Sequence, residues 1–168
     1  MDPITGTEGH GTAALSSYPN LVRQMRGRFM SAALQSNPVT GWFISRRKAV
    51  QGRSIINEEE LIKVLLQFGV QPVVLEELTL SKQLSLFASA RLLIGPHGAG
   101  MVHALFMQER SGIIELLSTS CPSGTNKFWM DLLNHRHREI LSTTPVTQMA
   151  DPFTVDPDQL AQVIQELL

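Results

Sequence analysis

The sequence predicts an α/β fold with a Rossmann-like, doubly wound parallel sheet of about five strands flanked by helices. Short apolar runs alternate with amphipathic segments of helical spacing throughout residues 41–141, which is the pattern of a parallel sheet with crossover helices. The central run, Leu92 to Ile94, is apolar without interruption, as in a strand buried on both faces. With 168 residues, the chain suits one domain or half of a two-domain enzyme.

Five strands and six helices are expected, in alternation. Proline and glycine punctuate them, and Ser54 or Asn57, Thr79 or Ser81, and Asp156 are candidate helix caps. We predict strands at residues 41–45, 71–75, 92–94, 112–117 and 139–141. We predict helices at residues 20–34, 58–68, 80–88, 101–107, 126–133 and 157–168.

The chain divides into three parts. Residues 1–19 are rich in glycine, threonine and serine without periodicity, and we expect a flexible lead-in. Residues 20–142 form the predicted domain, whose first helix is amphipathic with its arginines on a solvated face. Residues 143–168 contain three prolines and then a helix, and we expect a connector and a C-terminal helix packed on the same domain.

Composition excludes several partners. The formal net charge is -1 without a block of lysine and arginine, which argues against nucleic acid as the main partner. Cys121 is the one cysteine, so no intrachain disulfide or zinc-thiolate cluster is possible. No apolar run reaches the ~20 residues of a membrane span, and the N-terminus lacks a signal-peptide pattern. We therefore expect a cytoplasmic chain as given, or one in the Golgi or ER lumen if a eukaryotic parent carries an upstream anchor.

A basic cluster follows the first predicted strand. Arg46, Arg47 and Lys48 come directly after it, and the cluster continues to Arg53. Open α/β sheets bind ligands at the carboxyl ends of their strands, so the cluster favours an anion site over an ordinary surface loop.

A glycine-rich loop follows the central strand. Pro96 ends that strand, and His97, Gly98, Ala99 and Gly100 lead into a helix with little side-chain bulk. Backbone N–H groups at the positive end of a helix dipole suit a phosphate. The alternative is that the glycines only allow a tight turn and close packing, because the loop lacks the dinucleotide pattern G-x-G-x-x-G.

Glu115 interrupts the apolar run of the fourth strand. A buried charge is costly without a partner, so either ribose hydroxyls or a structural salt bridge should satisfy it. His135 and His137 lack a carboxylate or cysteine at ligand spacing, and we interpret them as surface residues. We predict no metal site.

Taken together, these motifs resemble glycosyltransferase family 61 over residues 39–141. The resemblance rests on their order and spacing: Ser45-Arg46-Arg47, Arg53 followed by Asn57-Glu58-x-Glu60-Leu61, the helix with Gln83, the loop Gly95 to Gly100, and Ile114-Glu115-Leu116. The family includes plant xylan arabinosyl- and xylosyltransferases, animal O-linked N-acetylglucosaminyltransferases and bacterial proteins labelled capsular polysaccharide biosynthesis.

The resemblance implies one half of a GT-B enzyme, the C-terminal half that holds a nucleotide-sugar donor. It implies contacts to the donor pyrophosphate at the basic cluster and glycine loop, to the ribose at Glu115, and to the base near Glu76 and Glu77. His97 is also a candidate general base. The donor-binding residues expected in this way are Ser45, Arg46, Arg47, Arg53, Glu77, His97, Gly98, Ala99, Gly100 and Glu115.

The expected function is therefore transfer of a sugar from a nucleotide diphosphate sugar, UDP-linked, to a hydroxyl of a glycan or protein. Inversion without a metal is expected, since cations can offset the diphosphate charge. Acceptor-side groups are expected in an N-terminal domain outside this chain. One alternative is a non-catalytic nucleotide-binding module of the same fold. Another is a nicotinamide-dependent oxidoreductase, but that class needs a glycine fingerprint after the first strand, and Ser45-Arg46-Arg47 stands there instead.

Overall fold

The computed structural model describes residues 20–29, 39–48, 52–121 and 126–168. Its centre is a five-stranded parallel sheet in the order β2-β1-β3-β4-β5, which confirms the predicted α/β class. The strands are β1 (Val39–Ile44), β2 (Val70–Val73), β3 (Ala90–Pro96), β4 (Gly112–Leu117) and β5 (Arg136–Leu141). The order reverses between β1 and β3, so the crevice of a doubly wound sheet lies at their carboxyl ends.

Helices cover both faces of the sheet. After a helix at residues 20–29, the α-helices are α1 (Glu58–Gln67), α2 (Leu80–Ser89), α3 (Lys127–Leu132) and α4 (Pro157–Leu167), with 3-10 helices at Leu75–Glu77 and Ala99–Phe106. On one face, Leu61 and Leu65 of α1 and Ile164 of α4 pack with sheet residues in one core. On the other, α2, α3 and the longer 3-10 helix contribute Phe87, Met130 and Met101 to a second core. Among the described residues, no helix is long and apolar enough to cross a bilayer.

The helix after the glycine loop differs from the sequence prediction. It winds as a 3-10 helix, and β3 continues through Pro96 before the loop begins. Gly100 lies so close to the sheet that a Cβ there would be 3.3 Å from Ile44 Cδ1. The small residues of this loop are therefore needed for its close packing against the sheet, whether or not the loop also binds a ligand.

The N-terminal helix is described only over residues 20–29. Val22 is buried, while Leu21 and Met25 are exposed. Arg26 donates to the Met107 carbonyl at 2.6 Å, so for this arginine the solvated-face prediction is wrong. The lead-in predicted at residues 1–19, and the end of the predicted helix, lie outside the described residues.

The segment after β5 is attached to the sheet domain through Asn57. Its Nδ2 donates to the Val155 carbonyl at 2.8 Å, and the Val155 N–H donates to Asn57 Oδ1 at 3.2 Å. Asn57 stands at the N-cap position of α1 without making a side-chain cap bond. Asp156 does cap α4, accepting from the backbone of Asp158 and Gln159, with Pro157 in the first turn.

Candidate functional site

Polar and charged side chains meet at the crevice where the strand order reverses. Ser45 to Lys48 leave the end of β1, and His97 to Gly100 leave the end of neighbouring β3. Arg53 returns to the same place and donates from Nη1 to the His97 carbonyl at 2.9 Å. The topology thus brings the predicted basic cluster and the predicted glycine loop together.

Two guanidinium groups converge on Gly98. A Cβ placed on Gly98 would lie 3.0 Å from Arg46 Nη1 and 3.3 Å from Arg53 Nη1. Gly98 has φ +151, which side-chain-bearing residues rarely adopt, so the backbone favours glycine, and a Cβ would also press on the two guanidinium groups. Burial lowers the pKa of Arg46, and the adjacent positive charge of Arg53 lowers it further, against an opposing effect of Glu76. Arginine remains charged, and an anion at this point would relieve the repulsion.

Ser45 supports the basic loop from beneath. Its side chain is buried, with Oγ donating to Glu58 Oε1 at 2.6 Å and accepting from the Arg47 backbone N–H at 3.4 Å. Ser45 therefore fixes the direction in which the chain leaves β1. Arg47 itself is exposed at the crevice.

His97 is held by a buried carboxylate. Its Nδ1 lies 2.6 Å from Glu115 Oε1, and Asn126 Nδ2 donates to the same oxygen at 2.6 Å. Burial acts to raise the pKa of Glu115, but the contacts with His137, His97 and Asn126 together outweigh it and lower the pKa. An ionised Glu115 orients the imidazole through Nδ1, so Nε2 is the ring nitrogen that a ligand would meet.

The far oxygen of Glu115 faces β5. His137 Nε2 lies 3.2 Å from Glu115 Oε2, but the contact does not meet hydrogen-bond geometry, and neither atom has a hydrogen-bond partner among the described residues. The predicted surface position of these histidines is wrong. His137 is mostly buried, and His135 is buried with Nε2 2.9 Å from the Ala104 carbonyl.

A second histidine braces the glycine loop. His103 Nδ1 lies 2.8 Å from the Gly100 carbonyl, and Nε2 lies 2.8 Å from Gln83 Oε1. Gln83 in turn donates to the carbonyls of Leu75 and Leu78. Burial lowers the pKa of His103, opposed by its bond to Gly100. The brace ties the loop to the turn that follows β2.

That turn carries the two acidic residues predicted near the base. Glu76 and Glu77 lie in the 3-10 helix just after β2 and are exposed. Glu77 forms an ion pair with Lys48, and this hydrogen bond and charge lower the pKa of Glu77. Both residues follow β2, which pairs with β1 on the side away from β3, so they lie at the same carboxyl edge of the sheet.

Comparison with known proteins assigns this chain to a family. A family profile described as Glycosyltransferase 61 matches residues 7–114, which is more than half of the chain. The chain belongs to glycosyltransferase family 61.

A curated relative agrees with this assignment. The chain is 36% identical over 84 residues to a Drosophila melanogaster protein named EGF domain-specific O-linked N-acetylglucosamine transferase. The match covers 48% of this chain and 16% of that protein, so the chain spans a small part of its relative's length.

For a family 61 chain, the structure separates the predicted site residues into two groups. Arg46 and Arg53 meet the loop from His97 to Gly100 at the crevice, while Arg47 is exposed after β1 and Glu77 pairs with Lys48. Ser45 and Glu115 are buried beneath it. Of the two partners considered for Glu115, the geometry favours side-chain contacts, since His97 and Asn126 occupy the oxygen nearest the crevice.

Sequence reasoning missed Asn126 and His137 as parts of this arrangement. Asn126 precedes a short helix in a polar stretch, which gives no signal of a buried amide. The prediction began β5 at residue 139, whereas the strand begins at Arg136 and carries His137 onto the sheet beside Glu115. Residues 136–139 are all polar, so no apolar alternation signalled this part of the strand.

Proposed function

We propose that this crevice binds the diphosphate of a nucleotide-sugar donor, and that the chain is the donor-binding part of a family 61 glycosyltransferase. The observation that carries the proposal is the convergence of Arg46 and Arg53 on Gly98, at the start of a helix. Guanidinium groups and helix N-termini both favour phosphate oxygens. Membership of the family supports the same assignment.

The proposed reaction is a single displacement. An acceptor hydroxyl oxygen forms a bond to the anomeric carbon, the bond from that carbon to the diphosphate oxygen breaks, and the configuration inverts. The hydroxyl proton passes to a base, and the electron pair leaves with the diphosphate. Arg46, Arg47 and Arg53 would stabilise the developing negative charge, so we propose that the donor phosphates need no metal.

His97 has two roles open to it within this mechanism. Glu115 holds Nδ1, which leaves Nε2 for either a phosphate oxygen or an acceptor proton. We favour phosphate contact, because the His97 backbone lies in the loop that the Arg53 guanidinium also contacts. The acceptor-side base would then come from outside this chain.

The donor proposed is UDP-linked, with N-acetylglucosamine as its sugar. The sugar follows the name of the Drosophila melanogaster relative, and the UDP link follows the resemblance to the family. A hydroxyl of a glycan or protein is the proposed acceptor, held by a further domain.

Calorimetric titration of the 168-residue chain with UDP, GDP and NAD tests the proposal. We expect UDP to bind in the micromolar to millimolar range and Arg47→Ala to weaken it about 10-fold or more, the loss expected for one charge-assisted hydrogen bond. Arg47 suits this test because it is exposed and its removal spares the core.

Arg91→Ala is the matched control. Arg91 is also exposed, but it lies near the amino end of β3, away from the crevice. UDP binding should be unchanged in this variant. No UDP binding by the folded chain, or tighter binding of NAD, would contradict the proposal.

A further inference from the structure

A buried pair of polar atoms lies between β4 and β5 without hydrogen-bond partners. Glu115 Oε2 and His137 Nε2 are 3.2 Å apart, on side chains that are 1% and 10% exposed. Leaving buried donors and acceptors unpaired costs free energy, so such atoms call for an explanation. Oε1 of the same carboxylate is already occupied by His97 and Asn126.

A second carboxylate adds negative charge at the same place. Glu139 on β5 is the direct register partner of Glu115 on β4, and it is partly buried. Like charges on directly opposed strand residues are destabilising. A cation between them would turn this repulsion into attraction.

The three side chains lie close enough together to share one metal ion. One ligand atom each from Glu115, His137 and Glu139 falls within 4.8 Å of the others. Zinc bonds of about 2.0–2.1 Å in a tetrahedron separate two ligand atoms by about 3.3 Å. The observed 3.2 Å between Oε2 and Nε2 matches one edge of such a tetrahedron.

The cluster also has an entrance. A cleft of about 430 Å³ is lined by His137 and Glu139 together with Lys127 and Asp131 of α3. An ion would reach the ligands from this side, and a water in the cleft would supply a fourth ligand.

We propose that Glu115, His137 and Glu139 bind a divalent cation of the zinc class. The ion would join β4 to β5 and fix the Glu115 carboxylate. His97, which contacts that carboxylate, would then be an outer-shell partner of the metal. It would lie behind Glu115 and not at the donor phosphates. The proposal does not depend on the proposed function.

The test is titration of the chelator-treated 168-residue chain with Zn²⁺, and with Co²⁺ to record its visible absorption. We expect one equivalent to bind, with an absorption band typical of tetrahedral Co²⁺ and an increase in melting temperature. His137→Ala should weaken Zn²⁺ at least about 100-fold, since even second-layer partners cost 10–100-fold. Glu139→Gln, a milder change, should weaken it in the same direction.

Asp131→Asn is the matched control, because Asp131 lines the same cleft outside the cluster. Zn²⁺ affinity should be unchanged in this variant. Absence of Zn²⁺ binding by the folded chain would overturn the proposal and identify the Glu115–His137 contact as a plain ion pair. Binding that survives both His137→Ala and Glu139→Gln would also overturn it.

Discussion

Glu115 is the residue on which the geometry beneath the crevice depends. Its carboxylate is fully buried, which disfavours the charged form. His97, Asn126 and His137 surround it and keep it ionised. The sequence predicts that such a charge needs a partner, because an isolated buried carboxylate is costly. It does not identify Asn126 or His137, because both reach Glu115 only through the packing of later elements.

The lowered pKa of Glu115 predicts an acid-dependent contribution to stability. With a folded pKa below the unfolded value of about 4.3, the contribution is present above that value and is lost as pH falls through the folded pKa. Glu115→Gln should therefore cost about 2 kcal/mol near pH 7 and make the unfolding free energy fall less steeply below pH ~4.

Urea unfolding in chelator across pH 3–7 measures this effect. Glu166→Gln is the control, since its side chain is 47% exposed. That variant should follow the unaltered chain throughout. Identical pH profiles for Glu115→Gln and the unaltered chain would show that the carboxylate is not stabilised as described.

The backbone conformation at Gly98 should affect both the stability of the protein and its affinity for UDP. Gly98→Ala should cost about 1–3 kcal/mol for the positive φ and displace the arginine ends, weakening UDP about 10-fold or more. Gly27→Ala is the control, because a Cβ there meets nothing within 4 Å and the site is helical, where alanine stabilises by about 1 kcal/mol. Urea unfolding and calorimetry measure both effects. Unchanged UDP affinity in Gly98→Ala would contradict the described contact.

At the scale of elements, hydrophobic periodicity predicts where a strand or helix lies better than it predicts the type of helix. The apolar runs locate the buried strands such as β4, whereas β5, of which only Ile140 is buried, was predicted three residues short. The segment Ala99–Phe106 has helical spacing in sequence, but its small residues let it approach Ile44 and wind as a 3-10 helix. That winding follows from tertiary packing, which a local pattern does not contain.

The link between α1 and the segment before α4 is a non-local feature of this kind. Asn57→Ala removes two hydrogen bonds to the Val155 backbone, across 98 residues of sequence, and should cost about 2 kcal/mol. Gln162→Ala removes one exposed bond to Glu166 within α4 and should cost almost nothing. Urea unfolding compares the two variants. Equal costs would mean that Asn57 acts only as a local helix residue.

At the scale of the whole molecule, the order of the strands creates the crevice. The sequence predicts a parallel sheet with cations at strand ends, and the reversal between β1 and β3 brings Arg46 and Arg53 to the loop after β3. The order itself is not encoded in any single segment. It results from which crossovers pack on which face, and the two cores show that α1 and α4 share one face while α2 and α3 share the other.

This arrangement predicts that donor binding and transfer separate in the 168-residue chain. Transfer requires the acceptor oxygen to be held in line with the anomeric carbon, and such positioning accounts for about 7–11 kcal/mol of catalysis. In the proposed function, the crevice cations bind the donor and the acceptor-side groups lie outside this chain. We therefore expect UDP binding with negligible transfer by the chain alone.

Incubation with radiolabelled UDP-N-acetylglucosamine and a hydroxyl acceptor, with product and free sugar counted separately, measures this separation. Slow hydrolysis of the donor without product is the expected result, because water reaches the open crevice without being positioned. At donor concentrations below saturation, Arg47→Ala should slow that hydrolysis about 10-fold or more, which distinguishes it from a contaminating enzyme. Rapid product formation by the chain alone would mean that its own residues, with His97 first among them, supply both the acceptor site and the base.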